Sequence, residues 1–575
     1  MNRTTSASSA TPAAASAAAA KSSSGAGKEK FLVLPIVILI LAQMGTTGDN
    51  GALSLAASAL TKDLGATTSD IQLANMIYPL VGGSFMIAGG LAGTMIGWRK
   101  TFRIGALLAA IGEIALALSP NMMFFIWVGR VLVGLGASFL VPSLLGIIPF
   151  IYHGANRTVA FGCIGAASGL AAVLPLILGV VMQLAGMRIT FFVLALYFIG
   201  VVVLSLGLPK FDQQPEKSHF DAIGVGLAAM GFFCMLIGLS SISSWGLIKP
   251  MRTAPFTLFG ISPAIPLVVL GILILIVLVK VEAGEEKRYG LVVLPRSFIT
   301  TKQVLAGLVA NALMFFFMGA QSILMSPYLQ LVADWTPIDV GVISIVTGLP
   351  TFGLALGIPK LFPKANPRHV IQIGYVAMAL ALGCMAFSVT LDGANRIGVY
   401  LGAFLAGVGA GTVSSHASNI VALAVNDRDA SQSGGIQSTM RNVGQALGVA
   451  LLGAVLIFGI SSTLHNEMAA DPAISPDVAQ QVSELTINLG SNTEFEHEIA
   501  NIKMDDSERA KLVDLEAKAR FDSTRVAYGA GIVIVLLGLL TTPWITTLSR
   551  DSKPAPSAQV AKASPSGSQP KHPQS

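Results

Sequence analysis

The chain has 575 residues, 53% of them hydrophobic and only 11% charged, less than half the charged share of an ordinary soluble domain. Apolar runs of about twenty residues recur between residues 31 and 547, which excludes a water-soluble multidomain protein and requires a bilayer as solvent. The net charge of +6 is scattered between these runs and forms no basic face, so a nucleic-acid partner is not expected.

In chain order, residues 1–30 are rich in Ala and Ser and read as a disordered tail. The first span then acts as its own insertion signal. Breaking the chain at charged or Pro-rich joints predicts fourteen spans, at 31–56, 73–97, 104–119, 122–148, 158–184, 190–208, 222–244, 262–281, 304–331, 339–361, 369–388, 397–424, 433–461 and 524–547. These group into an N-terminal six-helix bundle (31–208), a linker with two extra spans (209–303) and a C-terminal six-helix bundle (304–547), followed by a disordered tail (548–575). An even number of spans puts both tails on one side. The tails and the alternate joints beginning with Arg99, Lys100 and Arg103 hold 24 of the 36 Lys and Arg residues, so both termini are expected in the cytoplasm. Cys163, Cys234 and Cys384 all lie within apolar runs and suggest no disulfide.

Span four carries Gly129, Leu132, Gly134 and Gly136, and span twelve carries Gly402, Leu405, Gly407 and Gly409, always 273 residues later. Two parallel six-helix repeats would pair span four with span ten. Pairing four with twelve makes spans seven and eight an insertion between the halves, although small residues at this spacing also serve close helix packing alone. After span thirteen comes a polar loop, 462–523, with thirteen Asp or Glu against five Lys or Arg and a helix-like stretch around Met504 to Phe521. It reads as a solvated external lid, or as a surface that attracts cations or docks a partner.

Ionisable residues inside spans cost about 2.5 to 3.5 kcal/mol each at mid-membrane and persist when paired or used. Asp49, Glu113 and Arg130 fall at a common depth, roughly 9 to 12 Å below the outer surface at the helical rise of 1.5 Å per residue. Such a group could carry a proton between the two sides, with Arg130 as counter-ion; a permanent structural ion pair fits the same spacing. His416, in SSHASN, and Asn311, Gln321 and Gln330 on span nine are candidates to line a solute cavity, or to hydrogen-bond between helices. No metal-ligand spacing and no G-x-x-x-x-G-K-[ST] loop occurs. A proton is therefore the expected coupling ion, with no cofactor and no enzymatic chemistry.

Over residues 31–547 the chain resembles the major facilitator superfamily, and within it the fourteen-helix drug:proton antiporters. The likeness rests on Asp49 with GALSLAASAL and on LTKDLGATTSDIQLANMIYPL through Asp63, Gln72 and Tyr78. It rests also on WVGRVLVGLGA with Arg130, Gly134, Gly136 and Ala137, and on NDRDASQSGGIQSTMRNVGQALGVALLGAV with Arg441, Gly444 and Gly448. FDAIGVGLAAMG and LVVLPRSFITTKQV are similar to the same branch. Two motifs depart from it. GLAGTMIGWRK keeps Gly90, Gly97, Arg99 and Lys100 but has Thr94 and Met95 where the family has an Asp-Arg pair. GLAAVLPLILGV keeps Pro175 and Gly179 of the antiporter motif but lacks the Gly before the Pro. The resemblance implies an all-helical major facilitator fold of fourteen spans and proton-coupled efflux of drugs or toxic compounds, lipophilic cations among them. It also implies proton transfer involving Arg130 and a bacterial inner-membrane location; a monomer is expected. The alternative on the same fold is transport of one dedicated native metabolite or lipid precursor.

Overall fold

The computed structural model describes residues 31–66, 68–171, 173–211, 221–248, 250–251, 254–258, 260–288, 292–391, 393–425, 432–483 and 492–545. Both tails expected to be disordered lie outside these residues. Nearly everything described is helical: α1 (Val33–Leu55), α2 (Thr68–Ile96), α3 (Trp98–Ala117), α4 (Val131–Ile151), α5 (Gly154–Leu170), α6 (Val173–Leu204), α7 (Ala222–Trp245), α8 (Ala264–Arg288), α9 (Lys302–Leu331), α10 (Pro337–Leu361), α11 (Pro367–Ser388), α12 (Arg396–Ser414), α13 (Ala417–Ala424), α14 (Ser433–Ala470) and α15 (Asp506–Leu537). Among the described residues, eleven helices are long and apolar enough to cross a membrane. α3 is not among them because Arg99, Lys100, Arg103 and Glu113 dilute its apolar face, and the apolar part of α1 is the shorter stretch Val33–Asp49.

Spans five and six, expected at 158–184 and 190–208, meet at the expected joint, but span five is built from two helical pieces. α5 stops at Leu170, and α6 runs from Val173 to Leu204 with its backbone broken at Gly186 (φ 82°, ψ 173°). Only glycine adopts that φ without strain. At 1.5 Å per residue the 32 residues of α6 would reach about 48 Å, well beyond a hydrocarbon core of about 30 Å, so Gly186 is the corner between two crossings.

The 273-residue repeat has a structural cause. A Cβ on Gly129 would meet Leu116 of α3, and one on Gly402 would meet Met385 of α11. Gly136 backs onto Gly105 and Ala109 of α3, and Gly409 onto Gly374 and Met378 of α11; Gly134 backs onto Tyr78 and Gly82 of α2, and Gly407 onto Thr347 and Pro350 of α10. Each glycine of the pair thus brings the fourth helix of its half against the third and the second. α7 and α8 stand outside this symmetry: they pack on each other, and α7 leans on α2 and α14.

The halves meet at the end of the bundle that carries the tails. There Gly90 of α2 faces the backbone of Gly435 on α14, Gly434 backs onto Pro142 and Gly146 of α4, and Gly162 of α5 backs onto Ala355 of α10. Asn419 donates to Thr158 (3.0 Å), and Arg157 donates to the carbonyl of Ala422 (3.1 Å). Toward the far end the halves diverge: α5 packs along α10, whereas α6 scarcely touches it. Beside this seam, Gly97 (φ 96°) makes the turn into α3. The fully buried Trp98 ring fills the space left by Gly93 on α2 and Gly146 on α4, an aromatic wedge between Gly97 and Arg99 of the same motif.

The 462–523 segment is not a solvated lid. α14 continues to Ala470, and short helices at Pro476–Ser483 and Asn492–Glu498 fold back before α15 begins at Asp506. Val478, Val482, Phe495, Ile499, Ile502 and Leu512 are buried in the same apolar cluster as Leu456 and Leu464 of α14. Acidic residues cover the outside. Asp471 accepts from the amide of Ala473 (3.0 Å) and faces Lys511 (3.4 Å), which together hold its carboxyl below the usual range. Arg520 and Glu516, both almost fully buried, pair at 3.0 Å inside.

Candidate functional site

Asp49, Glu113 and Arg130, separated by up to 81 residues in sequence, come together in the first half. Asn121 caps a single turn, Met122–Phe124, and the next six residues, Phe125–Arg130, form a widened π turn that ends on Arg130. π turns inside helices are rare and frequent at functional positions. Nη1 of Arg130 donates to both carboxylate oxygens of Asp49 (3.0 and 2.9 Å) and Nε to the carbonyl of Ala74 (3.1 Å). The guanidinium lies 5.0 Å over the ring of Tyr78, whose hydroxyl donates to the carbonyl of Thr46 (3.0 Å). Asp49, Glu113 and Arg130 have no exposed surface. Glu113 lies within the electrostatic reach of Asp49 and Arg130, and neither of its oxygens receives a hydrogen bond. Two carboxyls therefore lie near one guanidinium in a pocket with no exposed surface. They can hydrogen-bond to each other only if one of them carries a proton.

The second half contains a cavity of about 290 Å³ between α9, α10 and α12, touched from the first half by Gly165 alone. Its walls are thioether, phenyl, aliphatic and hydroxyl groups with one amide, including Met314, Phe317, Gln321, Ser322, Thr347 and Ser414, with no charged side chain. Ser414 donates to the sulfur of Met314 (2.9 Å) across its floor. Immediately beyond, helix twelve breaks: α12 ends at Ser414 and α13 restarts at Ala417, with His416 at the cap. The His416 Nδ1 is 2.7 Å from the Ser415 hydroxyl. Beyond the break, Arg441 donates through Nε to Asn311 (3.2 Å) and through Nη2 to Ser418 (2.8 Å).

Of the four residues expected at a solute cavity, Gln321 lines it, while Asn311 and His416 lie just past its floor. Gln330 does not belong to it: its side chain is exposed and bonds to Ser326, one turn away on its own helix. Gly90, Gly97, Gly134 and Gly136 occupy the packing positions described above. Arg99 is half-buried and Lys100 exposed at the start of α3, and Pro175 and Gly179 sit in the first segment of α6, ahead of the Gly186 corner. Ser418, the helix-twelve break and the π turn were not singled out from sequence. The helix-twelve break has no Pro or Gly at residues 415–416 to announce it, and the glycine within the π turn, Gly129, was read as a packing residue.

Two pseudo-symmetric helical halves, with a cavity in one and a buried ion cluster in the other, define a multi-pass membrane transporter rather than an enzyme. The chain belongs to the Major Facilitator Superfamily, whose pattern matches residues 39–449. It is 24% identical to the probable actinorhodin transporter of Streptomyces coelicolor, over 83% of this chain and 81% of that one. It is 26% identical to the tetracenomycin C resistance and export protein of Streptomyces glaucescens, over 76% and 78%. In three dimensions it aligns with a peptide transporter POT, crystallised as a mutant with sulfate, at a TM-score of 0.53 and 16% identity, covering 89% of this chain and 94% of that chain.

Proposed function

We propose that the protein exports small amphipathic compounds, drugs and toxic metabolites among them, in exchange for protons, from a bacterial cytoplasm across the inner membrane. Both tails then face the cytoplasm, the protein works as a monomer, and the proton is its only coupling ion. The relatives named for resistance and export support the direction of transport. The observation that carries the coupling is the trio in the first half. With one proton on its two carboxyls the trio is electrically neutral, and without it the pocket holds a net negative charge away from water. Loading and release of that proton therefore require the pocket to meet water alternately on each side, which rocking of the two halves supplies. About 100 mV of membrane potential provides roughly 2.3 kcal/mol per proton, equivalent to about a fifty-fold gradient of a neutral solute, so no nucleotide is needed.

The test is proton efflux from acidified inside-out vesicles as a panel of lipophilic compounds is added. A substrate should collapse the gradient with the wild type and fail to do so with Glu113→Gln or Asp49→Asn, while both variants still bind it. Undiminished exchange by Glu113→Gln and Asp49→Asn would remove the trio from the coupling. No response to any compound in the wild type would favour a carrier of one dedicated native metabolite.

A further inference from the structure

The buried charges of the two halves are handled differently. Arg130 faces two carboxyls, whereas Arg441, buried to 8% exposure, faces none among the described residues: its hydrogen bonds go to the neutral Asn311 and Ser418, and its guanidinium stacks 5.4 Å from the Phe315 ring. Nη1 makes no hydrogen bond among the described residues. Bridging Asn311 to Ser418 does not require a charge, since a glutamine amide could do it without burying one, and an uncompensated cation in a membrane interior is retained at a cost. The break in helix twelve adds to the same local field. α13 restarts at Ala417 with Ser418 in its first turn, so the positive end of a helix dipole and the free face of Arg441 converge on one spot.

That spot adjoins the cavity. Asn311 is one turn from Met314 along α9, and Ser418 is one turn past Ser414 along the chain; Met314 and Ser414 are the contact that closes the cavity floor. A methionine side chain is flexible enough to yield there. The cavity walls offer apolar surface, hydroxyls and the Gln321 amide, and no carboxylate to balance a cation.

We propose that Arg441, with Ser418 and Asn311, is the recognition site for an ionised acidic group, a carboxylate or phenolate, on the transported compound, whose apolar body occupies the cavity above it. This names a substrate class for the exporter and rests on that reading only for the direction of movement. It also fixes a charge balance. Exchanging one proton inward for one monoanion outward moves two positive charges inward per cycle, against one for a neutral compound.

The test measures equilibrium binding to the purified full-length protein in nanodiscs, at constant pH and without a gradient, so it reads the site whether or not transport is proton-coupled. The probes are fluorescent anthracene-9-carboxylate, its neutral methyl ester and the cation ethidium. The wild type should bind the carboxylate. Arg441→Gln should weaken that binding about tenfold or more, the loss expected of one charge-assisted hydrogen bond, while leaving the ester within about twofold. Arg441→Lys should restore part of the carboxylate affinity, and Ser418→Ala should give a smaller loss with the same selectivity. Ester binding also verifies that each variant is folded. The inference is overturned if Arg441→Gln binds the carboxylate as the wild type does, if Arg441→Lys, still binding the ester, recovers none of the carboxylate affinity, or if the wild type binds ethidium and the ester but not the carboxylate. In all three cases the vesicle measurement still decides the export reading by itself.

Discussion

Arg130 holds Asp49 through a single nitrogen, with a backbone carbonyl on one side and the Tyr78 ring on another. A pair buried this completely is unforgiving of loss on one side. Removing one partner of a buried pair leaves an uncompensated charge and typically costs about 3 to 5 kcal/mol, whereas replacing both by neutral groups is far milder. Arg130→Gln alone should therefore destabilise the protein by about that amount in reversible denaturation in mixed micelles, and Asp49→Asn added to it should recover a large part. Additive losses would mean that the two side chains are not energetically coupled. Asp49 and Arg130 were visible in the sequence because a charge in an apolar run stands out, and their common depth followed from counting residues. Glu113 shared that depth, but only packing shows that its face of α3 turns toward the pair. Arg441 was visible as part of a motif; that no acid stands beside it among the described residues is a property of α9, α13 and α14 together and of no single one. Gln330 marks the opposite error. It lies nine residues after Gln321, and nine steps of 100° put two side chains on opposite faces of a helix.

At the scale of elements, the seam that closes the tail side is made of backbone approaching backbone. Gly90 and Gly435 leave no room for a side chain between α2 and α14. Overpacking a site of this kind costs about 1 to 3 kcal/mol, and separating the tail-side ends of the two halves would relieve the strain. Gly435→Val should accordingly shift the population toward a form open on the tail side and closed on the far side. Spin labels at Lys62→Cys and Arg396→Cys, one in the joint after α1 and the other at the start of α12, should report a shorter distance in the variant by electron double resonance. An unchanged distance distribution in a folded variant would show that the seam yields locally and does not couple to the far side. The glycine repeat announced this architecture because small residues at fixed offsets record where helices touch. The corner at Gly186 lies in the joint expected between residues 184 and 190; the restart after His416 was not announced, because the sequence SSHA contains no helix breaker.

For the whole molecule, the informative feature is the cap formed by residues 471–483 and 492–505 and the adjoining ends of α14 and α15. Its composition suggested water on all sides, because thirteen acids outweigh its scattered apolar residues. The helical spacing of those apolar residues places them on one face, and they join the core of the second half without a gap. A lid tethered by solvated loops would melt separately and early; a cap that shares a core with the bundle should melt with it. Phe495, buried to 4%, tests this. Phe495→Ala removes a buried ring, a change that typically costs about 3 to 5 kcal/mol, and calorimetry of the variant should show one transition displaced to lower temperature. A second, earlier transition with the main one unmoved would make the cap an independent unit. The distinction bears on transport. A cap fused to the second half must travel with that half, and so with the cavity, as the far side opens and closes.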